Sequence, residues 1–148
     1  MRVKIAIING PNLNLLGTRE PTIYGEETLD DIEAQLEILA RELGVTLEFC
    51  QHNAEGDLVD AIQRAGEECA GIVLNAAAYT HYGLALRDAI SAVPIPTVEV
   101  HISNVFAREE FRSQSVIAPV CAGGVWGMGS LGYRVALSAL VEMIESCR

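Results

Sequence analysis

Lysine is nearly missing from this chain: Lys4 stands alone, and the other nine of the ten basic residues are arginine. A mechanism that needs a side-chain amine, such as a Schiff base, must therefore use Lys4. Basic charge is also scarce, 10 residues against 20 acidic ones, for a net charge of −10 at pH 7. That balance argues against a nucleic-acid surface. It does not argue against an anionic small molecule, because a local pair such as Arg108 and Arg112 can oppose the global field. No apolar run approaches the ~20 residues of a membrane span, so no membrane partner is expected. No signal-peptide pattern is present. Cys50, Cys69, Cys121 and Cys147 are scattered, with no CxxC or zinc spacing. They read as reduced thiols, and the expected compartment is the cytoplasm.

At 148 residues the expectation is a single domain spanning 1–148. Half the residues are hydrophobic and a fifth are charged, the balance of a globular chain rather than a disordered one. Strand-like and helix-like segments alternate, with no repeat, linker or low-complexity stretch. Strands are expected at residues 3–9, 45–51, 71–75, 96–100 and 116–120. Helices are expected at 28–43, 56–68, 83–93 and 130–146, with a one-turn helix at 108–111. Leu29, Ile32, Leu36, Leu39 and Leu43 share one helical face. Thr28 with Asp31 resembles a capping box, and Gly44 is the stop. Leu58, Ile62 and Ala65 face inward on the second helix. Val135, Leu137, Leu140, Val141 and Ile144 do so on the last. The second strand alternates and belongs at an edge; the third is apolar throughout and belongs in the centre. The pattern fits an α/β, three-layer αβα, flavodoxin-like doubly wound sheet of five parallel strands in order 2-1-3-4-5.

That order delivers residues 9–14, 75–81 and 99–103 to one crevice, at the carboxyl edge where such sheets bind ligands. The first strand breaks into Asn9-Gly10-Pro11-Asn12-Leu13-Asn14, and the next loop holds Arg19 and Tyr24. An arginine near a phenol favours phenolate, which suits a base, although each residue alone reads more readily as part of a polar turn. Asn12 and Asn75 can each donate and accept, as a polyhydroxylated ligand requires; as turn formers they need no ligand. Glu99 and His101 lie two apart on a strand and point to one side. The carboxylate can fix the imidazole tautomer and favour the cation, making a general acid; an ordinary ion pair is the alternative. His81, His101 and Glu99 make a zinc site on paper only, since their spacing matches no zinc pattern. Gly127-Met-Gly-Ser-Leu-Gly132 matches GxGxxG and opens a helix. The acidic residue such a motif needs ~20 positions later would fall beyond the chain. It is better read as a turn that packs the last helix tightly, with Ser130 as its cap.

Together these residues resemble type II 3-dehydroquinate dehydratase. The matching pieces are Asn9-Gly-Pro-Asn-Leu-Asn-Leu-Leu-Gly17, Arg19-Glu-Pro through Tyr24-Gly25, and Gln51-His-Asn-Ala-Glu-Gly56. They continue with Asn75-Ala-Ala-Ala-Tyr-Thr-His81, Val98-Glu-Val-His-Ile-Ser-Asn104 and Ala107-Arg-Glu-Glu-Phe-Arg112. The likeness covers nearly the whole chain in order. It implies dehydration of 3-dehydroquinate to 3-dehydroshikimate, the third step of the shikimate route, by anti elimination through an enolate. It implies Tyr24 as the base at C2, with Arg19 favouring its phenolate. Asn12 would hold a water against the enolate oxygen. His101 would protonate the departing C1 hydroxyl, oriented by Glu99. Asn75, His81 and Arg112 would bind hydroxyls, and Ile102 with Ser103 the carboxylate. Asp88 would reach a neighbouring subunit's site in a dodecamer built as a tetramer of trimers. No cofactor is implied. Gly17 and Gly25 are candidate hinges of a lid. Tyr82 is bulky for the family and is expected to border the site, and the segment 121–126 differs in detail. A nucleotide- or flavin-binding module and an inactive binding protein on the same scaffold are the competing readings. Pro11 removes a donor that a phosphate loop would use.

Overall fold

The computed structural model describes residues 2–147. Its chain order is β1 (Lys4–Asn9), α1 (Pro21–Tyr24), α2 (Leu29–Leu43), β2 (Thr46–Gln51), α3 (Glu55–Glu68), β3 (Gly71–Asn75), α4 (Leu84–Ala92), β4 (Thr97–His101), β5 (Gly123–Trp126) and α5 (Leu131–Ser146). The five strands are all parallel, in the order β2-β1-β3-β4-β5. This is the expected flavodoxin-like sheet. Both faces are covered, as a parallel sheet requires. Ile5 and Ile7 face α2 and α5 in one core cluster; Ala6 and Ile8 face α3 and α4 in the other.

Local signals in the sequence account for most element ends. The Thr28 hydroxyl accepts from Asp31 N–H at 3.1 Å, and the Asp31 carboxylate accepts from Thr28 N–H at 3.0 Å. Those bonds from Thr28 hold the Asp31 carboxyl below its usual range. Gly44 ends α2 at φ 74°, in the left-handed region. Ile32 and Leu36 are buried with Ala40, while Leu29, Leu39 and Leu43 flank them, partly buried. Leu58, Ile62 and Ala65 are buried on α3 as expected.

Three expectations need correction. The fifth strand is Gly123–Trp126, not residues 116–120. Val116-Ile-Ala-Pro-Val has strand-like composition, but Pro119 cannot donate to a ladder. Ile117 instead plugs the core with no exposure, and Ala118–Val120 makes a 3-10 turn. The pairing falls to a glycine-rich segment, with Gly124 opposite Glu99. The buried face of α5 is centred on Tyr133, Ala136, Leu137, Leu140 and Val141, while Val135 faces outward. Ser130 does not cap α5; its hydroxyl donates to Glu27 Oε1 at 2.7 Å. Gly127 and Gly129, at φ 81° and 62°, make the turn before α5, and a Cβ on Gly132 would sit 3.4 Å from Val100 and Val125 side chains. The Gly-rich run is thus a packing turn.

Candidate active site

In-register pairing brings the ends of four strands level, with Asn9 opposite both Gln51 and Asn75, and Leu74 opposite Glu99. The chain leaving β1 crosses the end of β3 closely. Gly10 N–H donates to the Asn75 carbonyl at 2.8 Å, and a Cβ on Gly10 would lie 2.7 Å from the Ala76 carbonyl oxygen. Asn12 then takes a left-handed conformation at φ 68°, as Asn tolerates. Its N–H donates to Asn53 Oδ1 at 3.0 Å, and Gln51 Nε2 holds both that oxygen, at 3.1 Å, and the Gly10 carbonyl, at 3.0 Å. The Gln51-His-Asn53 piece of the sequence therefore acts as a brace for the Asn12 loop.

A cleft opens at this edge. Its walls include Asn12, Arg19, Tyr24, Asn75, His81, His101, Ile102, Ser103, Arg108 and Arg112. Tyr24, on the one-turn α1, carries the Arg19 guanidinium at 4.8 Å from its ring centroid and that of Arg108 at 5.1 Å. Each guanidinium is close enough to the ring for a cation–π contact. Arg108 donates to Ser103 Oγ at 3.2 Å. The sequence offered Arg108 only as half of an anion-binding pair; its contact with Tyr24 joins segments 84 residues apart, and only the fold reveals it. Gly17 and Gly25 bracket the Arg19–Tyr24 loop at φ 91° and 84°.

His101 and Glu99 project to one side of β4. His101 Nε2 lies 2.6 Å from Glu99 Oε2, and both residues are buried. The carboxylate can only accept, so Nε2 carries a proton and Nδ1 is the nitrogen left for exchange. His81 uses Nδ1 to donate to the Gln114 carbonyl at 2.7 Å, which leaves Nε2 as an acceptor in the neutral ring. Burial, then the charges of His101 and Arg112, push His81 below its ordinary range against the opposing Gln114 bond. Arg112 Nε donates to Glu109 Oε1 at 3.2 Å, which fixes it at the rim.

Asn75 is half committed to the fold. Its Nδ2 donates to the Tyr133 hydroxyl at 2.9 Å and its Oδ1 accepts from Ala77 N–H at 3.0 Å. One N–H and one lone pair remain. Tyr133, wholly buried, donates its own hydroxyl hydrogen bond to Asn9 Oδ1 at 2.6 Å, and burial pushes its phenol up. Asp88 is exposed on α4 and does not line this cleft. Nor does Tyr82, whose exposed ring packs edge-on to Tyr79 at a centroid distance of 5.6 Å; the expectation that it borders the site is corrected. Among the described residues no three His, Cys, Asp or Glu side chains converge as a metal site, and no helix is long and apolar enough to cross a membrane.

Residues 3–141 match the family model described as dehydroquinase class II. The chain belongs to the class II dehydroquinase family. It is 57% identical over 143 residues to the 3-dehydroquinate dehydratase of Jannaschia sp. (strain CCS1), covering 97% of each chain. It is 54% identical over 136 residues to that of Bacillus subtilis (strain 168), covering 92% of each. The crystal structure of the type II dehydroquinase from Butyrivibrio crossotus DSM 2876 superimposes with a TM-score of 0.92 at 46% identity, covering 94% of this chain and 97% of that one. As a class II dehydroquinase the chain is an enzyme of the hydro-lyase type, and the match over residues 3–141 includes every residue that lines the cleft.

Proposed function

We propose that this enzyme removes water from 3-dehydroquinate to give 3-dehydroshikimate, by anti elimination through an enolate. The observation that carries the reading is a phenol whose ring is met by two guanidiniums, in the same cleft as a carboxylate-held imidazole. Tyr24, as phenolate, takes the C2 proton. The electron pair passes into the C3 carbonyl, whose enolate oxygen is supported by a water held on Asn12. The enolate then collapses: the C3 carbonyl re-forms, the C1=C2 double bond forms and the C1–O bond breaks, while His101 gives its Nδ1 proton to the departing C1 hydroxyl, which leaves as water; His101 keeps its Nε2–H, hydrogen-bonded to Glu99. Each turnover moves one proton from His101 to solvent as water and leaves one on Tyr24; solvent returns the balance.

An ordinary phenol titrates near ~10, so almost none is phenolate at neutral pH. Arg19 and Arg108 are the cations at hand beside the ring to oppose the negative charge of such a base. Neutral His81, Asn75 and Arg112 bind ring hydroxyls, and Ser103 with the Ile102–Ser103 backbone takes the carboxylate. The Gly17–Gly25 segment is the lid that closes on bound substrate. The sequence of steps uses no metal and no cofactor, and it runs in the cytoplasm. The family also points to a dodecamer, a tetramer of trimers, in which Asp88 completes a neighbour's site. Leu84, 64% exposed and four residues before Asp88 on α4, puts one apolar side chain on that face that an assembly would cover. A monomeric mass by light scattering would contradict the assembly.

The direct test is incubation of the purified enzyme with 3-dehydroquinate while the absorbance of a conjugated enone is followed. A rise that depends on enzyme concentration supports the assignment, and no rise under any lid-compatible condition rejects it.

A further inference from the structure

We propose that Ser115 is a positioning residue for the acid half of the reaction: its hydroxyl holds Glu99, which holds His101. The inference rests on the reading of His101 as the general acid, and it adds a group outside the cleft. Ser115, with Glu99, lines an adjoining cavity that shares His81, His101, Val105 and Arg112 with the cleft, and it does not line the cleft that contains Tyr24. It therefore acts on the reaction only through Glu99.

The direction of each hydrogen bond is fixed by simple inventory. Ala118 N–H donates to Ser115 Oγ at 3.0 Å, which occupies the hydroxyl as an acceptor. A serine has one proton to give, and the acceptor within reach is Glu99 Oε2 at 2.9 Å. The same carboxylate oxygen accepts from His101 Nε2 at 2.6 Å. Capping the Ala118–Val120 turn needs only the oxygen of Ser115; the proton is free for Glu99. Two charge-assisted bonds converging on one buried oxygen fix the plane of the carboxylate, and with it the ring of His101. With that plane fixed, Nε2 keeps its proton and Nδ1 alone exchanges.

Ser115 can do this because its own backbone is tied down on several sides. Val116 N–H donates to the Thr80 carbonyl at 2.9 Å, and Arg87 Nη1 donates to the Val116 carbonyl at 3.2 Å. Ile117 is buried without exposure. The Gln114 carbonyl accepts from His81. Residues 114–117 thus form a strap that grips His81, Glu99, the end of the β3 loop and the core in succession. The strap shares Val116 and Ile117 with the segment 116–120 whose composition suggested a strand. Its job is to hold both histidines from behind.

The test compares Ser115→Ala, Ser115→Cys and Ser115→Thr with His101→Asn in the intact enzyme, using 3-dehydroquinate turnover and proton NMR of the His101 Nε2–H. Ser115→Ala is expected to lower kcat about tenfold, the size of one hydrogen bond to a charged group, with KM little changed. Its Nε2–H signal should move upfield as the bond to Glu99 loosens. Ser115→Thr keeps the donor and should restore both readouts. Should Ser115→Ala fold poorly, Ser115→Cys keeps the size with a weak donor and carries the same expectation. Wild-type kcat and an unmoved Nε2–H signal in the donor-deficient variants, alongside an inactive His101→Asn, would overturn the role of Ser115 alone. Wild-type turnover in His101→Asn would instead overturn the acid assignment beneath it.

Discussion

His81 donates Nδ1–H to a carbonyl, so its Nε2 can accept from a substrate hydroxyl only while the ring is neutral. Burial keeps it neutral further into acid than an ordinary histidine. The sign follows: protonation costs binding, the neutral form persists through the ordinary histidine value of ~6.5, and binding is lost as pH falls through the lowered value. KM for 3-dehydroquinate should therefore rise on the acid side, and His81→Asn should flatten that rise. A KM that falls with acid would contradict the assigned proton. Arg19 and Arg108 act on Tyr24 together. Arg19→Ala and Arg108→Ala should each lower kcat, on the order of tenfold for each ~1.4 kcal/mol of transition-state stabilisation removed, as steady-state kinetics can read. Full activity in both variants would leave Tyr24 without its cause.

At the scale of elements, α5 and β3 are joined by a buried polar link, Asn75 to Tyr133 to Asn9. Tyr133→Phe removes the hydroxyl and leaves Asn9 Oδ1 and one Asn75 N–H buried without that partner. The expected loss is ~1–3 kcal/mol of stability, seen as a lower denaturant midpoint with an unchanged slope. An unshifted midpoint would mean the link adds nothing. Such links explain what the sequence could and could not tell. Hydrophobic period and caps placed α2, α3 and strands β1 to β4, because those signals are local: Thr28 with Asp31, Gly44, and the apolar run of β3. β5 was misplaced because its glycines lack strand composition, while Val116–Val120 has it without the donor at Pro119. Tyr133 was overlooked on α5 since a tyrosine on a helix shows its partner only once β1 and β3 lie beside it. Arg19, Tyr24, Glu99 and His101 were legible as a family pattern. Arg108 over Tyr24 and Ser115 on Glu99 were not, because each contact joins loops that only the sheet brings together.

Across the whole molecule, the sheet separates the chain's one lysine from its cleft. Lys4 begins β1 and pairs with Glu48 at 3.5 Å, while the cleft lies at the other end of that strand. At ~3.3 Å per residue, the five steps from Lys4 to Asn9 put the site about 16 Å away, beyond the reach of a lysine side chain. Borohydride with substrate should therefore leave the enzyme active, and Lys4→Arg should turn over normally. Substrate-dependent trapping at Lys4 would overturn both the imine-free route and the location of the site. On the proposed route a base in the cleft draws out the enolate, and Tyr24 is the residue assigned to it. The most direct measurement is the enone absorbance produced from saturating 3-dehydroquinate by the wild-type enzyme and by Tyr24→Phe side by side. A folded Tyr24→Phe that still binds substrate but turns it over at least ~100-fold more slowly is the expected result. Near-equal rates would contradict the account.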